Sequence, residues 1–320
     1  MTNHLLICYI YVKGAKKGGT TLIRVENVEK SFDGLKALDG ISLTVEKGSV
    51  YGLVGPNGAG KSTIIKHLTG VYKADKGEVS INNEPVYENP RIKEKISYIP
   101  DELFFINRAS VKQMMKFYRN IYKDFDMERF EKLKDVFSSI NINKPICKLS
   151  KGMQKQAAFW LTICCNPEII ILDEPVDGLD PVMRRQVWSL LLQDVAERST
   201  TVLVSSHNLR ELEDVCDTVG ILNKGKMMLE KSLSSLQGSV VKYQVVYNGE
   251  APELKDKLDI LHVQNNASVY TYIIRGEAKM IEDVLRSFQP VILDVIPLTL
   301  EEIFIYELGG EDYGIKDIII

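Results

Sequence analysis

Long apolar runs, a cysteine framework and a surplus of basic charge are all missing from this sequence of 320 residues. Its longest apolar stretch, Leu5 to Val12, falls far short of the roughly 20 residues a membrane helix needs. The stretch also lacks a charged start and a small-residue cleavage site, which excludes a secretory signal peptide. The chain is therefore expected not to cross a membrane, with residues 1–20 an extension outside the fold. Five cysteines (Cys8, Cys147, Cys164, Cys165, Cys216) form an odd, scattered set without a CxxC pair. That set excludes a disulfide framework and a zinc site, and it suits a reducing cytoplasm. The net charge of −3 supplies no broad basic field, so no nucleic-acid partner is expected.

What the sequence does hold is an ordinary globular composition, 45% hydrophobic and 26% charged, long enough for one large domain and a small one. Its organising stretch runs from Val50 to Thr69. A short apolar strand, Val50-Tyr51-Gly52-Leu53-Val54, leads into Gly55-Pro56-Asn57-Gly58-Ala59-Gly60-Lys61-Ser62-Thr63 and then into an apolar helix pattern. The loop fits GxxxxGK[ST] at every fixed position, which identifies a phosphate-binding loop. Glycines let successive amides turn inward onto an anion, and the helix start adds the positive end of its dipole. Lys61 brings a full charge for the β- and γ-phosphates, and the Ser62 hydroxyl is short enough to reach a phosphate-bound Mg²⁺.

Around that loop, Leu22–Val28 and Ile41–Val45 alternate as strands, and Glu78–Asn82 and Ile96–Pro100 read as further short ones. From about Asp101 to Phe159 the pattern turns helical, with Val111, Met114, Met115, Tyr118 and Ile121 on one stripe and Phe130, Leu133, Val136 and Phe137 repeating it. Ile169–Leu172 is a continuous apolar run suited to a strand buried on both faces, as is Thr201–Ser205, and Val182–Glu197 between them reads as a helix. Strands alternating with helices imply a mostly parallel, three-layer α/β core. After a joint at Ser232–Gly238 the pattern changes to strands over 240–247, 261–264, 269–275 and 291–296 and helices over 279–288 and 299–308. This predicts a small C-terminal α+β domain over 239–308 and a tail over 309–320.

Leu172-Asp173-Glu174-Pro175 puts two carboxylates at the carboxyl end of the buried strand, where ligands bind in open α/β sheets. Asp173 is placed to hold Mg²⁺ through water, and Glu174 to act as general base or to orient the attacking water. Asp177-Gly178-Leu179-Asp180 forms a tight acidic turn, and Ser205-Ser206-His207 brings an imidazole to the same sheet edge. His67 and His262 read as structural. In Leu149-Ser150-Lys151-Gly152-Met153-Gln154-Lys155-Gln156, Ser150 is a helix N-cap and Gly152 leaves the first amides uncovered. This second anion site in a chain with one phosphate loop is reconciled if it serves a nucleotide held by another copy.

Together these motifs resemble the ATP-binding subunits of ABC transporters over roughly Leu22 to Glu230. The resemblance implies a P-loop NTPase (RecA-like) α/β core over 21–231, carrying an antiparallel β subdomain and the helical insertion at about 101–159. It makes Gly55, Asn57, Gly58, Gly60, Lys61, Ser62 and Thr63 the Walker A loop, Asp173 the magnesium aspartate and Glu174 the catalytic glutamate. Asp180 becomes the D-loop aspartate, His207 the switch histidine and Phe32 the aromatic that stacks on adenine. Ser150 and Gly152 match the signature motif, which in this family contacts the ATP of the opposite subunit in a head-to-tail dimer. Lys151 and Met153 depart from the usual LSGGQ, as exporter subunits often do. Asp101 stands where the family generally places a glutamine. An acid there lies within reach of Mg²⁺, at the cost of repulsion toward the γ-phosphate.

The implied protein is an ATPase subunit, peripheral at the cytoplasmic face of the cell membrane. It uses ATP and Mg²⁺, pairs with a second ATP-binding subunit (homo- or heterodimer) and works a separate membrane-spanning subunit. Asp101–Asn107, with Leu103, Phe104, Phe105 and Ile106, reads equally as the docking segment for that subunit and as apolar core. Val295–Phe304 resembles the closing segment of subunits that export antibiotics, peptides or lipids. The alternatives are a soluble ABC-type ATPase acting on a ribosome or other macromolecule, and a phosphate-loop kinase, which has no use for the Ser150 helix start.

Overall fold

A computed structural model of the chain describes residues 20–237, 240–249, 251–254 and 257–307. Nearly all of the expected extension over 1–20, the end of the joint at Gly238, Leu308 and the tail lie outside the described residues.

Strands β1 (Thr21–Phe32) and β2 (Leu35–Glu46) form a long antiparallel hairpin, extended by β4 (Lys76–Ile81) and β5 (Glu84–Pro85) into a sheet of order β2-β1-β4-β5. Ile23, Val25, Ile41, Leu43 and Val45 are buried at alternate positions, the pattern of a sheet with one wet face. Asp33 and Gly34 both have positive φ, 47° and 83°, as the two-residue turn of a twisted hairpin requires. The turn lets β2 begin at Leu35, well before the alternation that marks it in the sequence.

The central sheet has the order β10-β9-β3-β8-β7-β6, made of β10 (Lys226–Ser232), β9 (Thr218–Asn223), β3 (Val50–Val54), β8 (Thr201–Ser206), β7 (Ile169–Asp173) and β6 (Ile96–Ile99). Pairs β3·β8, β8·β7 and β7·β6 are parallel, with Val54 beside Ser206, Asp173 beside Ser205 and Ile99 beside Leu172. The carboxyl ends of four strands therefore finish along one line, directly under the loop that follows β3. Every residue of β3, β7 and β8 is buried, which accounts for their unbroken apolar character. The sequence pattern leaves β9 and β10 unread, because Gly220 interrupts β9. A Cβ at Gly220 would lie 2.2 Å from the Tyr51 hydroxyl, so this strand gives up a side chain to let β3 pack.

Helix α1 (Lys61–Leu68) follows the loop, and α2 (Pro90–Lys93) precedes β6. The helical insertion holds α3 (Val111–Ile121), α4 (Met127–Lys132) and α5 (Lys151–Cys164). Ser110 and Gln113 form a reciprocal capping box at the start of α3, and Asp126 caps α4. Trp160 of α5 stacks on Phe130 at 4.6 Å and Phe137 at 5.5 Å between ring centroids, and its indole N–H donates to the Phe130 carbonyl. Helix α6 (Pro181–Arg198) starts on an Asp180 cap that accepts from Val182 and Met183, with Pro181 in the first turn. Buried Asp194 of α6 receives Arg129 of α4 at 2.8 Å, which ties the insertion to the core.

The described chain up to His207, with Val219–Glu230, forms one compact unit; Asn208–Thr218 and the described chain from Lys231 onward form another. The second unit has an antiparallel sheet of order β12-β13-β11-β14, made of β11 (Val240–Val246), β12 (Asp259–Asn266), β13 (Val269–Arg275) and β14 (Ile292–Ile296). Its core packs Ile281 and Leu285 of helix α8 (Ala278–Ser287) on Tyr243, Val245, Tyr272 and Ile274. Within the stretch read as a joint, Leu233–Gln237 forms a short helix, α7. Arg210 pairs with Glu301 of helix α9 (Leu300–Glu307) at 2.7 Å, which binds the 208–218 segment into this unit.

Candidate functional site

The loop after β3 wraps the start of α1 in the way its composition demands. Gly60 caps α1 with φ 107°, a left-handed angle that leaves the first amides of the helix uncovered. A Cβ on Gly55 would meet the Leu222 carbonyl oxygen at 2.3 Å, so that glycine is demanded by β9 behind it. Asn57, Gly58, Gly60, Lys61, Ser62 and Thr63 line one cleft of about 430 Å³, joined by Asp101 and Glu174. A larger groove of about 730 Å³ between α2 and the end of α3 contains none of the candidate residues.

Lys61 is 6% exposed. Its ammonium donates to the carbonyls of Gly55 at 2.6 Å and Pro56 at 3.3 Å and pairs with Glu174 Oε1 at 3.2 Å. A buried cation held by two carbonyl dipoles and one carboxylate is suited to a polyanion, which replaces the carboxylate as counter-charge. Glu174 Oε2 accepts from His207 Nδ1 at 2.9 Å and from the His207 backbone N–H at 3.3 Å. The carboxylate thus stands between the phosphate-loop lysine and the histidine at the end of β8.

Beneath it, Asp173 is 3% exposed and accepts from the Ser205 hydroxyl at 2.5 Å, while Ser205 Oγ accepts from the Glu174 N–H at 3.1 Å. Ser205 so fixes both acids at once. Ser62 and Asp173 offer oxygen alone, the donor set that suits Mg²⁺. Tyr98 lies nearby; burial, with the charges of Asp173 and Asp101 adding, pushes its hydroxyl far above the usual phenol range and keeps it neutral. Carboxylate and imidazole ligand atoms of Glu174, Asp177 and His207 fall within 4.8 Å of one another.

Of the other candidates, Asp101 belongs to the cleft lining, whereas Ser150, Gly152, Asp180 and Phe32 stand apart from it. Ser150 is exposed and caps α5, accepting from the Met153 N–H. Gly152 lies against the acidic turn, where a Cβ would meet the Gly178 carbonyl oxygen at 2.6 Å. Asp180 is committed to capping α6. Phe32 is 39% exposed, with its ring 5.3 Å from that of Tyr72 and the Lys30 ammonium over it at 5.6 Å. Asp101, exposed at the cleft rim, has its carboxylate 3.5 Å from the Lys155 ammonium. Motif reading passes over Ser205 and Lys155, whose parts in the site depend on hydrogen bonds to Glu174 from 31 and 19 residues away.

A phosphate loop after β3, a histidine at the end of the adjacent β8 and an acidic pair at the end of β7 beyond it define a phosphate-loop nucleoside triphosphatase. Residues 38–177 match the family model described as ABC transporter. The ABC transporter ATP-binding protein YtrB of Bacillus subtilis (strain 168) is 31% identical over 290 residues, spanning 91% of this chain and 99% of that protein. The bacitracin transport ATP-binding protein BcrA of Bacillus licheniformis is 27% identical over 92% of this chain and 100% of its own length. Among solved structures, an ATP-binding subunit of an ABC transporter superposes with a TM-score of 0.62 at 24% identity, covering 68% of this chain and 92% of that one. A dimeric ATP-binding cassette in a post-hydrolysis state superposes at 0.60 with 22% identity, covering 66% of this chain and 99% of that one. This chain belongs to the ABC transporter ATP-binding proteins, and it is an ATPase of that family. The expected fold is borne out, including the phosphate-loop core and its inserted helices.

Proposed function

We propose that the chain closes head-to-tail with a second ATP-binding subunit around two ATPs, and that closure and release drive a separate membrane-spanning subunit. One observation carries the reading. Ser150 and Gly152 open a helix built to face an anion, yet neither lines the cleft that holds Lys61. A partner copy supplies what that cleft lacks, and this copy does the same for its partner.

Within one half-site, Lys61 leaves Glu174 for the β- and γ-phosphates, which frees Glu174 Oε1 to orient the attacking water. His207 keeps the other carboxylate oxygen in place through its hydrogen bond of 2.9 Å. Ser62 and Asp173 would hold Mg²⁺, which when bound neutralises charge on the phosphate oxygens. Phe32 and Tyr72 offer an aromatic surface for the base. Asp180 would meet the partner across the dimer axis.

Among the described residues no helix is long and apolar enough to cross a membrane, which is consistent with a peripheral subunit on the cytoplasmic face. Phe104, 85% exposed, and Ile106, 44% exposed, are the apolar groups offered to the membrane partner. Export is the favoured direction, supported by likeness to a protein named for bacitracin transport.

Glu174→Gln tests the core of this reading. The variant is expected to bind ATP normally and to lose at least about 100-fold in hydrolysis, the scale of a general-base loss. It should also persist as an ATP-dependent dimer in size-exclusion chromatography. Wild-type turnover in Glu174→Gln would remove Glu174 from its role, and a monomer under saturating ATP would remove the dimer.

A further inference from the structure

Glu174 is the second of the two acids, and its backbone is in a conformation that its own chemistry does not favour. Its φ is 47°, in the left-handed region where a residue with a Cβ is strained. Pro175 follows it, and a residue before proline prefers extended backbone. Such a conformation persists only where its surroundings hold it. On the amino side the Glu174 N–H donates to Ser205 Oγ at 3.1 Å. On the carboxyl side the Glu174 carbonyl accepts from Lys155 Nζ at 2.7 Å.

Lys155 is an unusual donor to find there. It is 7% exposed, and removing an ammonium from water is costly unless it is paired and hydrogen-bonded. A single carbonyl dipole is a weak counterpart for a full charge. The matching charge is Asp101, whose Oδ1 lies 3.5 Å from Lys155 Nζ. The same lysine sits in the second turn of α5, the helix that Ser150 opens. Asp101 begins the segment whose Phe104 and Ile106 are exposed.

The geometry points to Lys155 as a positioning residue for hydrolysis, holding the Glu174 backbone so that its carboxylate reaches both Lys61 and His207, with Asp101 keeping the ammonium in place. Asp101 then acts through Lys155 and not as an oxygen ligand of Mg²⁺. One ammonium joins the start of α5, the first residue of the exposed segment and the backbone carbonyl of Glu174, so a displacement of either element reaches Glu174 through that carbonyl. The inference rests on Glu174 being the group that orients water.

The test uses the full chain with Lys155→Met, Asp101→Asn, the pair combined, and Glu174→Gln as reference, reading kcat, KM and the affinity for ATP by fluorescence. Lys155→Met is expected to lower kcat by about 10- to 100-fold with KM and ATP affinity within about twofold, the pattern of a loss confined to the transition state. Asp101→Asn is expected to lower kcat by about 3- to 10-fold, and the double variant to match Lys155→Met alone, because both changes break one linkage. Unchanged kcat in Lys155→Met, a parallel loss of ATP affinity, or single effects that multiply in the double variant would each overturn the inference. If Lys155→Met fails to fold, Asp101→Asn alone decides, since it alters an exposed side chain: a drop in kcat at constant affinity supports the linkage and an unchanged kcat overturns it. Inactive Glu174→Gln beside wild-type Lys155→Met defeats only this inference, whereas active Glu174→Gln defeats the catalytic reading on which it rests.

Discussion

His67, on the helix that follows the phosphate loop, shows how far a single buried ring can set the behaviour of its surroundings. It is 2% exposed, and its Nδ1 donates to the Thr63 carbonyl at 2.8 Å. Burial holds its pKa below the usual 6.5, with the nearby Lys30 charge acting the same way. As pH falls below 6.5, the unfolded chain takes up a proton that the folded ring refuses, so stability is present above that pH and is lost on acidification. Urea midpoints at pH 7.5 and 5.5 check this: the wild type should lose more stability on acidification than His67→Gln. Equal losses would show that His67 stays neutral at no cost. At this scale the candidate site is legible wherever a proposed role follows from neighbours in the chain. Lys61, Ser62, Asp173, Glu174 and Ser150 are fixed by local motifs that carry their own chemistry. Ser205 and Lys155 look like any strand serine and helix lysine, because their partners lie 31 and 19 residues away.

Elements were legible in proportion to the regularity of their burial. Strands β7 and β8 stand out because each buries one unbroken run, and helix α3 because it buries Val111, Met114 and Met115 on one stripe, although Ile121, expected on that stripe, is exposed. Strand β9 does not, since its central glycine serves the packing of Tyr51 and contributes no side chain of its own. Helix α5 is the element on which the insertion depends. It buries every residue from Lys155 to Cys164, and Trp160 fills the space between Phe130 and Phe137. Trp160→Ala removes both stacked faces and the hydrogen bond to the Phe130 carbonyl. A loss of about 3–5 kcal/mol in urea unfolding, followed by far-UV circular dichroism, is expected for a truncation of this size. A loss below about 1 kcal/mol would mean that the aromatic stack does not hold the insertion together.

At the scale of the whole molecule, the decisive property is that the phosphate loop and the Ser150 helix start do not share a cleft. If each half-site is completed by a second copy, damage to the two halves must be separable between chains. Lys61→Ala removes the phosphate-binding cation. Ser150→Glu places a carboxylate where the partner's phosphates would sit, and a negative side chain at a helix start leaves α5 itself supported. Each variant alone is expected to show under about 5% of wild-type hydrolysis, since every site in its homodimer carries the defect. Mixing the two in equal amounts gives a different result. In a mixed dimer, the loop of the Ser150→Glu chain meets the helix start of the Lys61→Ala chain, and that one site is intact. Random pairing makes half the dimers mixed, so the mixture should recover about a quarter of wild-type turnover if the two sites work independently. Recovery should grow with protein concentration and with ATP, because both favour the closed dimer. A mixture no more active than its components would mean that a single chain completes its own site, and the composite arrangement would have to be given up.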